Sequence, residues 1–210
     1  MVLARFVGLR RFAVDAGALG PWWAGRLEPE VAAWLRFEGD AAPKVVKDRV
    51  HLDLRAPSLR PFDGLDRVPT GPADPWTTFR DPEGSEFCVF LADVPSPRVK
   101  TVEVDAVDAR AIARWWHAVW GGTLRHRDDW SSIDGVPGLP CDGIGFGPVP
   151  EPKTVTNRLQ WEIALEDGVT IQDLVAAGAT VLGPEPRGTV MADPEGNEFA
   201  VVPRRSAATA

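Results

Sequence analysis

Residues 193–202 read DPEGNEFAVV, and residues 81–90 read DPEGSEFCVF, with identity at seven of ten positions. Each copy begins with Asp-Pro and continues to Gly, a composition that favours a turn because Pro restricts φ and Gly relaxes it. In the second copy Phe199 and Val201 then alternate with Glu198 and Ala200, which is the period of a half-buried strand. A turn and strand repeated 193 − 81 = 112 residues apart indicate an internal duplication.

Other matching pairs show that the two copies differ in length. Trp22-Trp23 in the first half corresponds to Trp115-Trp116 in the second, and Pro43-Lys44 corresponds to Pro152-Lys153. The first half is about 16 residues shorter between these markers, which is the length of one hairpin. The duplication therefore predicts a shortened domain over residues 1–97, a complete domain over 98–204 and a flexible tail at 205–210.

The composition of the 210 residues is that of a globular protein, with 44% hydrophobic and 25% charged residues. The net charge of −7 argues against a nucleic-acid partner, which would require a basic face. No apolar run is long enough to cross a membrane. The two cysteines, Cys88 and Cys141, form neither a disulfide framework nor a zinc-finger spacing. These features predict a cytoplasmic protein with no nucleic-acid partner and no membrane association.

The order of elements resembles a known family. The chain reads as strand, helix and three strands, used twice in each half, with RVHLDL at residues 49–54 before the first DPEG turn. This pattern resembles the glyoxalase/bleomycin-resistance/dioxygenase group, the vicinal-oxygen-chelate superfamily, and is similar to its actinobacterial glyoxalase-like domains. The resemblance implies an α+β fold of tandem βαβββ modules that form two glyoxalase-like domains, the first one shortened. It also implies a sheet-lined cleft, in which metal-dependent members hold an ion with residues from the first and last strands of each module.

The ligand positions implied by the resemblance differ between the halves. In the second half they fall on Thr101, Gly147, Gln160 and Ala200, of which only Gln160 can coordinate an ion, so no metal is expected there. In the first half they fall on Arg11, Glu38, His51 and Cys88. Glu38, His51 and Cys88 are chemically able to hold zinc or iron, whereas Arg11 would repel the ion.

Several polar residues are candidates for chemistry or ligand binding. The catalytic candidates are the acids Glu198, Glu162 and Glu103, because burial can raise a carboxyl pKa into the range useful for proton transfer. The predicted ligand-binding set is Thr101, Glu103, Trp130, Gln160, Glu162 and Glu198. The acids could equally orient a ligand by hydrogen bonding. His51 could be a metal ligand, a general base or a histidine satisfied by Asp53 or the backbone.

Two functions follow from these observations. The first is binding of a small organic molecule without a catalytic metal or other cofactor. The alternative is a metal-dependent lyase, isomerase or dioxygenase that uses Glu38, His51 and Cys88 with one zinc, iron, nickel or manganese ion. The first half could also serve only as a structural partner of the second. We expect a monomer of tandem domains or a homodimer, and the sequence leaves open whether modules pair within or across the halves.

Overall fold

The computed structural model describes residues 2–204, so the predicted tail at 205–210 lies outside the described residues. The chain forms four modules. The first contains β1 (Ala4–Phe12), α1 (Ala16–Ala24) and β2 (Leu35–Glu38). The second contains β3 (Val50–Ala56), β4 (Arg67–Val68), β5 (Trp76–Arg80) and β6 (Glu86–Leu91). Short 3₁₀ turns occupy Pro29–Ala33 and Arg60–Phe62.

The second half contains longer versions of the same two modules. The third module has β7 (Arg98–Ala106), α2 (Ala109–Trp120), β8 (Thr123–Arg127), β9 (Trp130–Asp134) and β10 (Gly143–Pro148). The fourth has β11 (Leu159–Leu165), α3 (Ile171–Ala176), β12 (Thr180–Glu185), β13 (Gly188–Ala192) and β14 (Glu198–Val201). The predicted α+β fold with a shortened first domain is confirmed, since the first module has one strand after its helix where the third has three.

The strands form two sheets, each built from both halves of the chain. The six-stranded sheet has the order β12-β13-β14-β11-β1-β2, and the eight-stranded sheet has the order β4-β5-β6-β3-β7-β10-β9-β8. β1 pairs antiparallel with β11, and β3 pairs antiparallel with β7. The first module therefore pairs with the fourth, and the second with the third. The division at residue 97 follows the duplication, but neither sheet is confined to one side of it.

Helices α1 and α2 lie between the two sheets. On α2, the ring of Trp116 lies 5.0 Å from that of Trp161 on β11, and the helix also contacts β9 and β10. On α1, Trp23 lies 5.0 Å from Phe87 on β6, and the helix also contacts β2. Both helices thus bury apolar faces of both sheets, and the opposite, more polar face of each sheet points outward.

The duplicated turn connects the two sheets. The carboxylate of Glu195 accepts hydrogen bonds from the backbone N–H groups of Val107 (2.9 Å) and Asp108 (2.7 Å), at the start of α2. The equivalent Glu83 accepts hydrogen bonds from Val14 (3.0 Å) and Asp15 (2.9 Å), at the start of α1. Each DPEG turn lies in one sheet and holds a strand-to-helix connection that begins in the other. The third residue of the motif therefore has a tertiary role beyond forming a turn.

Candidate functional site

Four polar side chains meet on the outward face of the eight-stranded sheet. The apolar residues at alternate positions of β3 are buried in the core, so His51 and Asp53 project to the other side. The strand register places Cys88 of β6 beside Asp53 and Glu103 of β7 beside His51. Residues in register project from the same face of a sheet. We call His51, Asp53, Cys88 and Glu103 the outer cluster.

Three members of the outer cluster could hold a metal ion. One donor atom each from His51, Asp53 and Cys88 lies within 4.8 Å of the other two. His51 Nε2 and Asp53 Oδ1 are 3.6 Å apart, which is too long for a hydrogen bond. His51 Nδ1 and Asp53 Oδ1 are buried and have no hydrogen-bond partner among residues 2–204. An unsatisfied buried polar atom is costly, so these atoms favour a further group at this position.

The chemistry of these donors fits a transition-metal ion. Imidazole nitrogen, carboxylate oxygen and thiolate sulfur are all zinc ligands, and three protein ligands leave one tetrahedral position open. The sulfur donor favours zinc, iron or nickel over manganese, which prefers oxygen. Lys100 is an unfavourable neighbour for a cation, because its Nζ lies 3.6 Å from Asp53 Oδ2. The residues therefore fit a metal ion in type and number.

Burial shifts the protonation of the outer cluster. It lowers the pKa of His51 to about 4, so the imidazole is neutral at physiological pH and available as a ligand. Burial raises the pKa of the Cys88 thiol to about 12, and the nearby Asp53 adds to the rise. Burial also raises the pKa of Asp53 to about 7, with Glu103 adding to the effect. A cation bound here would oppose both rises and favour the thiolate and the carboxylate.

Glu103 lies beside the three residues that could hold a metal ion, and neighbouring residues hold its carboxylate in place. It accepts a hydrogen bond of 2.7 Å from the Thr101 hydroxyl. Burial raises the pKa of Glu103, and Thr101, Lys100 and Trp130 act in the opposite direction. Gly145 of β10 lies in register with Glu103, and a side chain there would overlap the Glu103 carboxylate. The predicted residues Thr101, Glu103 and Trp130 are thus brought together around the outer cluster.

Glu38 does not join the other two residues of the predicted metal set. It lies on β2 in the six-stranded sheet, whereas His51 and Cys88 lie in the eight-stranded sheet. Its Oε1 is 3.1 Å from Arg36 Nη2, which also contacts Glu162 at 2.5 Å. The separation follows from the pairing of modules across the halves. Asp53 occupies the position in the cluster that Glu38 was expected to fill.

Arg11 also lies away from its expected position. Its guanidinium points to the face opposite that of Arg10, where it contacts Asp81 at 3.4 Å and donates to the Ser85 hydroxyl. Arg10 instead lies beside Gln160, with 2.9 Å between Nη2 and Oε1. The bulge in β1 shows that register in this strand is irregular. A shift of one residue in a strand exchanges the two faces.

The predicted residues Gln160, Glu162 and Glu198 all lie in the six-stranded sheet. Both carboxylate oxygens of Glu198 are engaged, one by Lys153 Nζ at 2.5 Å and the other by the Asn157 backbone N–H at 3.0 Å. Glu198 thus ties β14 to the segment before β11. Burial raises the pKa of Glu162, while Arg36 lowers it. The six predicted ligand residues are therefore divided between two clefts on opposite faces of the molecule.

Four polar residues of these clefts were missed as candidates for chemistry. Asp53 was considered only as a partner of His51, although a spacing of two along a strand already placed both side chains on one face. Lys100, Arg10 and Glu185 carried no local signal, because their roles depend on neighbours distant in the sequence.

The fold is shared with characterised proteins. Two variants of glyoxalase I from Zea mays superpose with TM-scores of 0.65 and 0.66, each at 15% identity, and the matches cover 95% of this chain and 92% and 94% of theirs. A candidate dioxygenase from Bacillus subtilis superposes with a TM-score of 0.60 at 12% identity, covering 95% of this chain and 86% of its own. At this identity the likeness establishes the fold alone. A search of curated protein sequences found no match.

The two sheets of the chain have the vicinal-oxygen-chelate fold, as the sequence predicted. Residues 101–202 match the family model of the glyoxalase-like domain. The second half of the chain thus belongs to the glyoxalase-like domain family, and the whole chain has the vicinal-oxygen-chelate fold. Within residues 2–204, no helix has the length and apolar character needed to span a membrane.

Proposed function

We propose that this protein is an enzyme that acts on a small organic molecule. It uses one divalent metal ion, preferably zinc, which is held by His51, Asp53 and Cys88. The observation that carries the proposal is the convergence of these three donors within 4.8 Å of one another. A bound ion would act as a Lewis acid on a substrate oxygen. This proposal adopts the metal-dependent alternative of the sequence analysis, with Asp53 replacing Glu38.

The neighbouring residues favour proton transfer as the reaction. Glu103 is a buried carboxyl on the same face as the outer cluster, and its raised pKa suits a group that accepts and returns a proton. The Thr101 hydroxyl holds one of its oxygens, and half-buried Trp130 supplies an apolar surface beside it. A lyase or isomerase reaction that begins by removing a proton next to a carbonyl group uses these features directly.

Removing a metal-capable residue is expected to abolish stoichiometric metal binding. Protein without an affinity tag, purified and then exposed to zinc, should retain about one ion per chain, as measured by elemental analysis. His51→Ala and Cys88→Ser should each lower zinc affinity by at least the roughly 10- to 100-fold that loss of an outer-shell partner costs.

Two variants serve as matched controls for this measurement. Cys141→Ser removes the other cysteine, whose pKa burial also raises to about 12, and Glu38→Gln removes the acid in the other sheet. Both should retain the ion. Loss of zinc in Glu38→Gln with retention in His51→Ala would contradict the assignment.

The affinity for zinc is expected to rise with pH. Binding requires loss of the Cys88 proton, and below the Asp53 pKa of about 7 it also requires loss of the Asp53 proton. His51 contributes no proton between pH 6 and 9 because its pKa is about 4. The logarithm of the apparent association constant should therefore rise by about two per pH unit below pH 7 and about one above it. Competition with a chromophoric chelator measures the slope, and a flat profile above pH 7 would exclude Cys88 as a ligand.

A metal-free binding protein is the second candidate, and Lys100 is the observation that favours it. Its ammonium, 3.6 Å from Asp53 Oδ2, already supplies a positive charge to the outer cluster. In that case zinc would not bind in stoichiometric amount, and Lys100 would contact an anionic group of the ligand. The absence of retained metal in both the parent protein and Lys100→Met would select this function.

Cys88 and Cys141 are both free thiols, which suits the reducing cytoplasm proposed for either function.

A further inference from the structure

The outward face of the six-stranded sheet contains a buried arginine with an incomplete set of partners. The Arg10 side chain is 4% exposed. Its Nη2 donates to Gln160 Oε1 at 2.9 Å, and its Nη1 donates to Glu185. The Nε–H group is buried and has no partner within residues 2–204. A buried N–H donor without a partner costs free energy, so this group favours the binding of a further hydrogen-bond acceptor.

Glu185 reaches Arg10 from the far edge of the sheet. It lies at the end of β12, which is four strands from β1 in the sheet order. The contact is made only because the sheet curls, so the Glu185 side chain crosses the cleft. Glu185 Oε1 is also buried without a partner in the described chain. Arg36, by contrast, contacts two acids, Glu38 and Glu162. Glu185 therefore engages Arg10 through one carboxylate oxygen only, and its other oxygen stays without a partner in the described chain.

A cavity of about 470 Å³ adjoins two residues that contact Arg10, although neither Arg10 nor Glu185 lines it. Phe12 and Gln160 form part of its wall, and both also contact Arg10, with 5.1 Å from Arg10 Cζ to the Phe12 ring centroid. Val46 lines another part of the cavity together with Lys44, Arg158, Asp40 and Asp48, so the cavity combines apolar surface with charges of both signs. Its volume lies within the range typical of sites for small organic molecules.

We propose that the six-stranded sheet carries a second ligand site, for a small organic carboxylate. The ligand's carboxylate replaces Glu185 on Arg10, and its apolar body occupies the adjoining cavity against Phe12. The guanidinium group matches carboxylate geometry, and exchange of one carboxylate for another leaves the charge of the cleft unchanged. This site lies on the sheet opposite the outer cluster and does not depend on a metal ion.

The test compares binding of 3-phenylpropionate and its uncharged amide by calorimetry. The acid should bind saturably to the parent protein, and the amide should not. Glu185→Gln should bind the acid about tenfold more tightly, because the internal competitor has lost its charge. Arg10→Lys should bind it about tenfold more weakly, because the fork of donors is lost.

Glu166→Gln is the matched control, since Glu166 forms an ion pair with Arg5 on the surface and should leave the affinity unchanged. If Arg10→Lys fails to fold, the comparison of the acid with the amide in Glu185→Gln still decides the proposal. Equal affinity for acid and amide, or no saturable binding to Glu185→Gln, would contradict the proposal. The Arg10–Glu185 ion pair would then only stabilise the fold.

Discussion

Replacing Trp116 with Ala is expected to lower the free energy of unfolding by about 3–5 kcal/mol. The Trp116 side chain has no solvent exposure and lies between the two sheets. Its ring is 4.0 Å from that of Trp120 and 5.0 Å from that of Trp161. Truncation leaves a cavity at the contact between α2 and the six-stranded sheet, which the rigid strands cannot close. Urea denaturation followed by fluorescence of the remaining tryptophans measures the loss.

Trp115→Ala is the matched control for this prediction. Trp115 neighbours Trp116 on the same helix but is only partly buried. Its loss should cost less than about 2 kcal/mol. Equal losses in the two variants would show that the contact between helix and sheet is not concentrated at Trp116.

Replacing Asp193 with Ala is expected to cost about 3–5 kcal/mol, because it leaves several buried donors unpaired. The carboxylate accepts hydrogen bonds from the Trp116 indole at 3.0 Å and from the backbone N–H groups of Glu195 and Asn197, both at 2.9 Å. The change should also loosen Glu195 from the start of α2. Thermal and urea unfolding should both report the loss.

Asp167→Ala provides the control, since that side chain is 96% exposed and its removal should change stability by less than about 0.5 kcal/mol. A double variant, Asp193→Ala with Trp116→Phe, should lose less than the sum of the single changes because the two residues share a hydrogen bond. Additive losses would mean that this bond contributes little.

Local patterns in the sequence predicted the duplicated turn and strand and the order of the elements. Asp108 caps α2 by accepting a hydrogen bond from the Ala111 N–H, and Gly121 ends the helix with a positive φ of 72°, both as expected from residue type. The length difference between the halves correctly predicted the missing hairpin. These features depend on residues within a few positions of one another, and local propensity decides them.

The candidate site was only partly predictable. The family resemblance grouped His51 with Cys88, and the structure places both on one face of the eight-stranded sheet, but the resemblance did not show which other strands would lie beside them. Glu38 was grouped with them because the sequence does not reveal that the first module pairs with the fourth. Pairing between strands more than 100 residues apart depends on complementary packing of whole faces, which no local pattern encodes.

The sequence by itself therefore determined the repeat, the module order, the shortened first domain and the type of residues that project from each strand. Tertiary structure decided which of these side chains share a cleft. It brought Cys88 and Glu103 beside His51 and Asp53, and it carried Glu185 across a curled sheet to Arg10. The reason is physical: alternation along a strand fixes a side chain's face, whereas its neighbours are fixed by pairing and sheet curvature.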